Sequence, residues 1–243
     1  MTTVTRAALR CKVIGDATLY LGDNREIVRE LVDVAAIVTD PPYGILNLRG
    51  EGTTGAIRKS PRQQGSGTLK NRLLNQSNVE WDVAPSPEMF DLMRRKSKHQ
   101  IIWGGNYFAL PPARGMLVWD KEQPWENFSQ AELAWTNLER PAGLFRASAV
   151  RSIPNKVHPT QKPLSLMAWC IAMLPSDGVV CDPYMGSGTT GVACLQVGRP
   201  FIGIERDPAY FEMACERLRQ VAAQDTLFAT AEPSTSPAQE ALL

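Results

Sequence analysis

The chain has 243 residues, of which 44% are hydrophobic and 21% charged, with 26 basic against 25 acidic side chains. This composition is typical of a globular protein and excludes the collagen-like, coiled-coil and globally disordered classes. A chain of this length forms one large domain or two small ones, and it buries enough surface to be stable without disulfides or a structural metal.

Membrane and metal-binding classes are also disfavoured. No apolar stretch approaches the ~20 residues that a membrane span requires, and the N-terminal residues lack the apolar core of a secretory signal, which predicts a cytoplasmic protein. The five cysteines contain no C-x-x-C pair, and the only two histidines, His99 and His158, are isolated. We therefore expect no metal site, and cysteines that are reduced and mostly buried.

The N-terminal part of the chain alternates between strand and helix patterns. Periodicity predicts a strand at Ala17–Leu21, a helix beginning near Asp23 or Asn24, and an apolar strand from Ala35 to Thr39. The last strand runs directly into two prolines, Pro41 and Pro42. Because proline lacks the N–H of the strand ladder, the chain must turn out of the sheet at this point.

The next segment, residues 46–80, is rich in Gly, Ser and Arg and has little periodicity. Between Leu46 and Asn75 it carries six basic residues against one acidic residue, a net charge of +5. A long irregular segment inside a compact domain is usually functional or disordered. We expect a mobile basic loop that contacts nucleic-acid phosphates.

Regular patterns return after this loop. They predict a helix near Pro87–Lys96, strands over the sequences HQIIW, GMLVW and AELAW, and a turn at Gly104. A second basic segment, residues 137–157, is expected to be a loop and is a candidate for target recognition.

The C-terminal part again alternates between helices and strands. The pattern predicts a helix opening at Pro163, an apolar strand Gly178–Cys181, a helix to about Val197, the strand FIGIE, and a helix from Pro208 to about Val221. Such alternation is typical of an α/β fold with a mostly parallel, twisted sheet and helices on both faces. We expect one domain over residues 1–222 and a flexible tail over residues 223–243.

A glycine-rich turn follows the strand that ends at Cys181. Gly186, Gly188 and Gly191 match the pattern G-x-G-x-x-G between a strand and a helix, and Glu205 stands at the end of the next strand. This arrangement indicates a nucleoside cofactor, with the carboxylate on the ribose hydroxyls, and leaves NAD, FAD and S-adenosyl-L-methionine open. Because only one strand and one helix follow this strand–turn–helix unit, the sheet must take strands from the N-terminal half, next to the strand that ends before Asp40.

The Asp-Pro-Pro-Tyr corner lies where open α/β sheets bind their ligands, at the carboxyl end of a strand. Prolines that fix the corner would hold the carboxylate of Asp40 beside the ring of Tyr43. Such a pocket suits a planar base that bears an exocyclic amine. A proline-stiffened loop with an incidental tyrosine is the alternative interpretation.

With these two motifs the sequence resembles the DNA amino-methyltransferases, which transfer a methyl group from S-adenosyl-L-methionine to adenine N6 or cytosine N4. The resemblance extends from about Thr18 to Leu218. The catalytic corner precedes the cofactor turn, as in the β group, so the resemblance implies a Rossmann-like methyltransferase fold with a circularly permuted motif order. It also implies DNA as partner and a bacterial or phage-infected host cell. It leaves open whether the protein is a monomer or a homodimer and whether a cognate restriction endonuclease exists.

The resemblance implies roles for individual residues. The catalytic motif would consist of Asp40, Pro41, Pro42 and Tyr43. The cofactor motif would consist of Asp182, Pro183, Tyr184, Gly186, Ser187, Gly188 and Thr189, where the family commonly has phenylalanine in place of Tyr184. Asp23 would contact the cofactor's adenine, Glu205 its ribose, and Thr160 and Lys162 its methionine carboxylate. The DNA contacts would include Arg49, Arg58, Lys59, Arg62, Arg146 and Arg151.

Members of this family often have Asp at the first position of the catalytic motif when they act on adenine, and Ser when they act on cytosine. The sequence therefore predicts site-specific adenine-N6 methylation, with cytosine N4 as the alternative. A NAD- or FAD-dependent oxidoreductase would explain the glycines but not the Asp40–Tyr43 corner. A catalytically silent DNA-binding module would explain only the basic loops.

Overall fold

The computed structural model of the chain describes residues 6–45, 82–123, 129–148, 161–175 and 177–229. In these ranges nine strands form a single sheet. The strands are β1 (Arg10–Ile14), β2 (Ala17–Leu21), β3 (Val34–Thr39), β4 (Ser97–Trp103), β5 (Met116–Asp120), β6 (Ala131–Thr136), β7 (Gly143–Arg146), β8 (Val180–Asp182) and β9 (Phe201–Glu205). Their order across the sheet is β1-β2-β9-β8-β3-β4-β6-β5-β7.

The sheet interleaves the two ends of the chain. Strand β2 pairs in parallel with β9, with Ala17 opposite Phe201, and β8 lies between β9 and β3 and is parallel to both. Two further pairings, β3 with β4 and β5 with β7, are also parallel, whereas β1 and β6 run antiparallel to their neighbours. The predicted mostly parallel sheet is confirmed, as is the placement of the glycine-turn strand beside the strand that precedes Asp40.

Helices cover both faces of this sheet. They are α1 (Asn24–Glu30), α2 (Pro87–Lys96), α3 (Leu164–Ala172), α4 (Thr189–Leu195) and α5 (Pro208–Ala229). Since neighbouring residues of a strand point to opposite faces, Ala36 and Val38 of β3 pack with α3, α4 and α5, whereas Ile37 packs with α1 and α2. The fold is the predicted α/β fold with helices on both faces. In the part of the chain described, no helix combines the length and apolar character needed to cross a membrane.

Local chemistry explains where the helices begin. Asp23 caps α1, because its carboxylate accepts the backbone N–H of Arg25 over 2.8 Å. Helix α2 begins at Pro87, where the missing proline N–H costs no hydrogen bond, and it buries Met89 and Met93 on one face. Strand β2 and helix α2 have the bounds that the sequence predicted.

Three features differ from the sequence prediction. Strand β1 was not predicted: its first four residues are exposed, so the apolar alternation of a half-buried strand is absent. Strand β7 lies inside the segment 137–157 that was expected to be a loop, because its four residues carry too little pattern to be recognised. Helix α5 continues to Ala229, so the predicted tail 223–243 begins as helix. The basic loop 46–80 lies outside the described residues.

Candidate active site

Four neighbouring parallel strands end at one edge of the sheet, and each has at or just after its end a residue that the sequence singled out. Asp23 comes shortly after β2, Glu205 ends β9, Asp182 ends β8, and Asp40 directly follows β3. Carboxyl ends of parallel strands form the ligand-binding crevice of open α/β sheets. The predicted cofactor turn and the predicted catalytic corner are therefore adjacent, although more than 140 residues separate them in the sequence.

The Asp-Pro-Pro-Tyr corner is held by hydrogen bonds on both sides of its prolines. Tyr43 donates its hydroxyl hydrogen to Asp40 Oδ1 over 2.6 Å. Gly44, with a φ of +71°, turns the chain and donates its backbone N–H to Asp82 Oδ1 over 3.0 Å. The first bond holds the Asp40 carboxylate, and the second holds the backbone that follows Tyr43.

Aromatic residues from the segment after β4 surround the ring of Tyr43. Tyr107 stacks on it, with ring centroids 5.1 Å apart, and Phe108 contacts its edge at 6.1 Å. Gly104 has a φ of +72°, and a Cβ at this position would overlap the Tyr43 ring. Gly104 therefore supplies both a left-handed turn and the space for the tyrosine. The predicted turn at Gly104 is confirmed.

Lys162, for which a contact with the methionine carboxylate was predicted, lies beside Asp40 and Glu132. Its ammonium lies 2.5 Å from Asp40 Oδ2, 2.9 Å from Glu132 Oε2 and 3.3 Å from the Tyr43 hydroxyl. Burial lowers the pKa of Lys162, but the two carboxylates outweigh it, so the pKa is raised above its ordinary value. In the structure Lys162 thus binds the Asp-Pro-Pro-Tyr corner, and its predicted contact with the cofactor stays a prediction.

Two charged residues of this corner, Glu132 and Lys121, were missed in the sequence. Strand β6 runs antiparallel to β4 and β5, so its second residue, Glu132, lies near the edge where the parallel strands end. Glu132 Oε1 lies 2.5 Å from the ammonium of Lys121, which follows β5. Burial raises the pKa of Glu132, but Lys162 and Lys121 outweigh it and lower the pKa to about 2. The available sequence signal was a charged residue next to an apolar strand pattern, as at Lys121 and Glu132.

The environment of Asp40 combines opposing effects. Burial raises the pKa of its carboxyl group, Lys162 lowers it, and the neighbouring anion Glu132 raises it again. The net direction is upward from the ordinary value. The ammonium of Lys162 is the largest influence that opposes this rise.

The glycine-rich turn has the geometry that its sequence predicts. Gly186 and Gly188 have φ values of +51° and +78°, in the left-handed region that glycine adopts without strain. Gly186 donates its backbone N–H to Glu205 Oε2 over 3.0 Å, and the other carboxylate oxygen of Glu205 accepts two backbone N–H groups from the residues that follow it. Glu205 is thus held rigidly beside the turn.

Asp182 is bound by the protein itself. Its Oδ1 accepts hydrogen bonds from the Thr39 hydroxyl over 2.7 Å and from the Tyr184 N–H over 3.1 Å, and its Oδ2 accepts the Thr190 hydroxyl over 2.7 Å. Burial raises the pKa of Asp182 to about 6 against the effect of these bonds. Asp182 therefore joins β3, the turn and α4 at their centre.

The remaining cofactor-motif residues lie along the same turn. Asn24 donates its side-chain amide to the Pro183 carbonyl over 3.0 Å, which connects the start of α1 to the turn. Asp23 is ion-paired with Arg25 at 2.9 Å, and the hydrogen bond from Arg25 lowers its pKa. Ser187 and Thr189 contact Arg217 of α5, a residue that the sequence did not single out.

The residues expected to contact DNA are only partly described. Arg146 ends β7, the outer strand at this side of the sheet, and its guanidinium lies 3.5 Å from Asp120 with the side chain 65% exposed. The other expected positions lie outside the described residues: Arg49, Arg58, Lys59, Arg62, Arg151 and, for the cofactor, Thr160.

Comparison with known proteins identifies this arrangement. A family model described as DNA methylase, covering N6 and N4 methyltransferases, matches residues 95–216, half of the chain. The chain belongs to the N6/N4 DNA methylase family. S-adenosyl-L-methionine is the cofactor of these methylases, which agrees with the glycine-rich turn beside Glu205.

Individual relatives of the methylase family agree. The chain is 45% identical over 154 residues to the type II methyltransferase M2.DpnII of Streptococcus pneumoniae. The match covers 60% of this chain and 51% of that protein. It is 47% identical over 68 residues to the type II methyltransferase M.HinfI of Haemophilus influenzae, 27% of this chain and 19% of that protein. The chain thus spans about half, or less, of the length of these relatives.

Solved structures support the methylase fold. The M1.HpyAVI–SAM complex has a TM-score of 0.55 and 23% identity, and the match covers 83% of this chain and 99% of that one. The cytosine-N4-specific PvuII DNA methyltransferase has a TM-score of 0.55 and 18% identity, covering 87% and 93%.

The carboxylates and the glycine-rich turn at the sheet edge fit the methylase cofactor. Glu205 presents a fixed carboxylate at the end of β9, which suits a pair of ribose hydroxyls. The left-handed turn at Gly186 and Gly188 suits close approach of a ligand to the backbone. Asp23 follows the end of the neighbouring strand β2, and its predicted contact with the adenine stays a prediction.

Proposed function

We propose that this protein is a site-specific DNA methyltransferase that transfers the methyl group of S-adenosyl-L-methionine to the N6 amine of adenine. The observation that carries the proposal is the position of the Asp40 carboxylate at the sheet edge, two strands from Glu205. Aspartate at the first position of this corner favours adenine over cytosine.

The chemistry requires that the amine nitrogen become a nucleophile. Its lone pair is delocalised into the ring of the base. The Asp40 carboxylate and the Pro41 carbonyl would each accept a hydrogen bond from one amine N–H, which leaves the nitrogen lone pair free to attack the methyl group. The bound cofactor supplies an electrophilic methyl group. Asp40 then stabilises the positive charge that develops on nitrogen and accepts the proton that the amine loses.

A base inside a duplex cannot reach this corner, so the target adenine would be flipped out of the stack. Tyr43 would stack on the flipped base and offset part of the stacking that it loses. Because Tyr107 lies on the Tyr43 ring and is 48% exposed, Tyr107 would give up this position to the base. The basic residues of loop 46–80 would bind the DNA backbone.

The experiment is methylation of DNA from a methylation-free host by the purified protein, followed by separation of N6-methyladenine from N4-methylcytosine. We expect N6-methyladenine at one short sequence. Asp40→Ala should reduce turnover by at least ~10²-fold, the lower range for losing a positioned acceptor, and leave S-adenosylmethionine affinity nearly unchanged. Tyr43→Phe keeps the ring and should retain most of the activity, whereas Tyr43→Ala should not.

Each other result has a definite meaning. Detection of N4-methylcytosine instead of N6-methyladenine would show that the target base is cytosine. Near-normal methyl transfer by folded Asp40→Ala would show that the corner is structural. Binding of NAD or FAD without S-adenosylmethionine would indicate an oxidoreductase, and DNA binding without methylation would indicate a silent module.

A further inference from the structure

Protein donors occupy both oxygens of the Asp40 carboxylate. The Tyr43 hydroxyl donates to Oδ1 over 2.6 Å, and the Lys162 ammonium donates to Oδ2 over 2.5 Å. A contacting ammonium neutralises the carboxylate, which then attracts an incoming amine less strongly. If Asp40 acts on a target amine, as the proposed function requires, Lys162 has to move away from it.

Glu132 is placed to receive Lys162. Its Oε2 is already 2.9 Å from the Lys162 ammonium, and its Oε1 is held by Lys121 at 2.5 Å. The two lysines keep Glu132 ionised across the neutral pH range, since its pKa is lowered to about 2. If the Lys162 ammonium is displaced from Asp40, it therefore remains in contact with the ionised carboxylate of Glu132.

The surroundings of Lys162 make such a partner necessary. Its side chain is 7% exposed, and its ammonium lies 5.6 Å from the ring centroid of Tyr43 and 5.9 Å from that of Trp103. A buried ammonium that loses its only counter-ion is strongly disfavoured. A small shift from Asp40 toward Glu132 keeps the charge both paired and in contact with the rings.

Charge balance alone does not require this arrangement. Asp40 and Lys162 would neutralise each other as a pair, and Glu132 and Lys121 would do the same. The contact between Lys162 and Glu132 joins the two pairs and gives one ammonium two alternative carboxylates.

We propose that Glu132 is a positioning residue of the methyl-transfer site, which takes the Lys162 ammonium from Asp40 when the target amine enters. Lys162 thus holds the place of the substrate amine on Asp40 in the free protein. In the transfer step, the nitrogen lone pair forms the bond to the methyl carbon while the carbon–sulfur bond breaks with its electron pair on sulfur. The amine proton passes to Asp40, because Lys162 already carries its own.

The decisive variant is Glu132→Gln, which keeps the size of the side chain and removes its charge. We expect at least a tenfold decrease in kcat on DNA with unchanged affinity for S-adenosylmethionine, because Lys162 stays on Asp40. Glu139→Gln is the matched control: Glu139 lies just beyond β6, is 85% exposed and pairs only at the surface, 3.7 Å from Arg114. It should behave like the wild type.

The pH profile separates positioning from a purely structural role. The acid limb of kcat/KM reports the ionisation of Asp40 in the free enzyme. Glu132→Gln removes an anion that raises the pKa of Asp40 and should move this limb to lower pH, whereas Lys162→Met removes the cation that lowers it and should move the limb to higher pH. Among the residues that the structure describes, the titratable or charged groups that face Asp40 and Lys162 are Tyr43, Tyr107, Lys121, Glu132, Cys170 and Asp182.

A double variant tests whether Glu132 acts through Lys162. In the Lys162→Met background, Glu132→Gln should cause no further loss of kcat. Additive losses, or a wild-type kcat and acid limb in Glu132→Gln, would overturn the inference while the wild-type methylation assay still supports the proposed function. If Glu132→Gln does not fold, Glu132→Asp, which keeps the charge and withdraws it by one methylene, should lower kcat, and wild-type values there would also overturn it. A wild-type protein that does not methylate DNA would overturn both proposals.

Discussion

Arg217 of α5 donates hydrogen bonds from Nη1 to both the backbone carbonyl and the hydroxyl of Ser187, which lies thirty positions earlier in the chain. The same nitrogen lies 3.2 Å from the hydroxyl of Thr189. Burial lowers the pKa of Arg217 from its ordinary value. One cation from the last helix thus fixes the middle of the glycine-rich turn.

Replacing this cation should loosen the cofactor site. Hydrogen bonds to charged groups contribute about 1.5–3 kcal/mol, so we expect Arg217→Met to weaken S-adenosylmethionine binding about tenfold or more, measured by calorimetry. Arg219→Met, on the same helix, removes a surface guanidinium that pairs with Glu216 at 3.3 Å and should leave the affinity unchanged. Equal affinities in both variants would show that the turn needs no anchor from α5.

Gly104 should be required for the position of Tyr43. A Cβ at Gly104 would overlap the Tyr43 ring, and the φ of +72° adds strain for any other residue. Gly198 has a similar φ of +63°, but a Cβ there would meet nothing within 4 Å. We expect Gly104→Ala and Gly198→Ala each to lose roughly 1–2 kcal/mol of stability from backbone strain, and only Gly104→Ala to lose most of its methyl transfer. Equal methyl-transfer activity in the two variants would show that the site does not need a glycine at position 104.

The sequence predicted those parts of the site that depend on local pattern. Asp40 and Gly186 follow apolar strands, and turns after parallel strands meet at one edge of a sheet. The strand Ala17–Leu21 has the alternation of a central strand, whereas β7 has four residues and a single neighbouring strand, which leaves little pattern to read.

Contacts between distant segments could not be predicted in this way. Glu132 joins Asp40 only because β6 runs antiparallel between β4 and β5, and nothing near Glu132 in the sequence fixes that direction. The role of Lys162 was inferred from its sequence motif, whereas its ammonium is held by the carboxylates of Asp40 and Glu132, which belong to distant segments. Arg217 reaches Ser187 through the packing of α5, which no local motif encodes.

The basic loop should bind DNA through phosphates. Arg58, Lys59 and Arg62 lie outside the described residues, in the segment whose composition predicts phosphate contacts. Replacing all three by Ala should weaken DNA binding and reduce the slope of log Kd against log salt concentration by about one unit for each lost contact. Titrations by fluorescence anisotropy at several salt concentrations would measure this. An unchanged slope would mean that these side chains do not touch the backbone.

Asp182 should make stability depend on pH below neutrality. Burial raises its pKa to about 6 in the folded protein, above the 3.8 of an ordinary aspartate, so the folded state holds the proton more tightly than the unfolded state does. Its contribution to the free energy of unfolding is then fully present below about pH 4 and falls as the pH rises to about 6. The two-unit difference corresponds to a loss on the order of 3 kcal/mol.

Asn at position 182 does not titrate, so the difference in unfolding free energy between the wild type and Asp182→Asn isolates this effect from all other groups. Denaturant titrations should show that difference falling from pH 4 to pH 6 and then remaining constant. The Thr190 hydroxyl lowers the pKa of Asp182 by donating to Oδ2 over 2.7 Å, so Thr190→Val should extend the fall above pH 6. A difference that stays flat from pH 4 to pH 6 would show that Asp182 is ionised throughout, with its hydrogen bonds from Thr39, Tyr184 and Thr190 compensating fully for its burial.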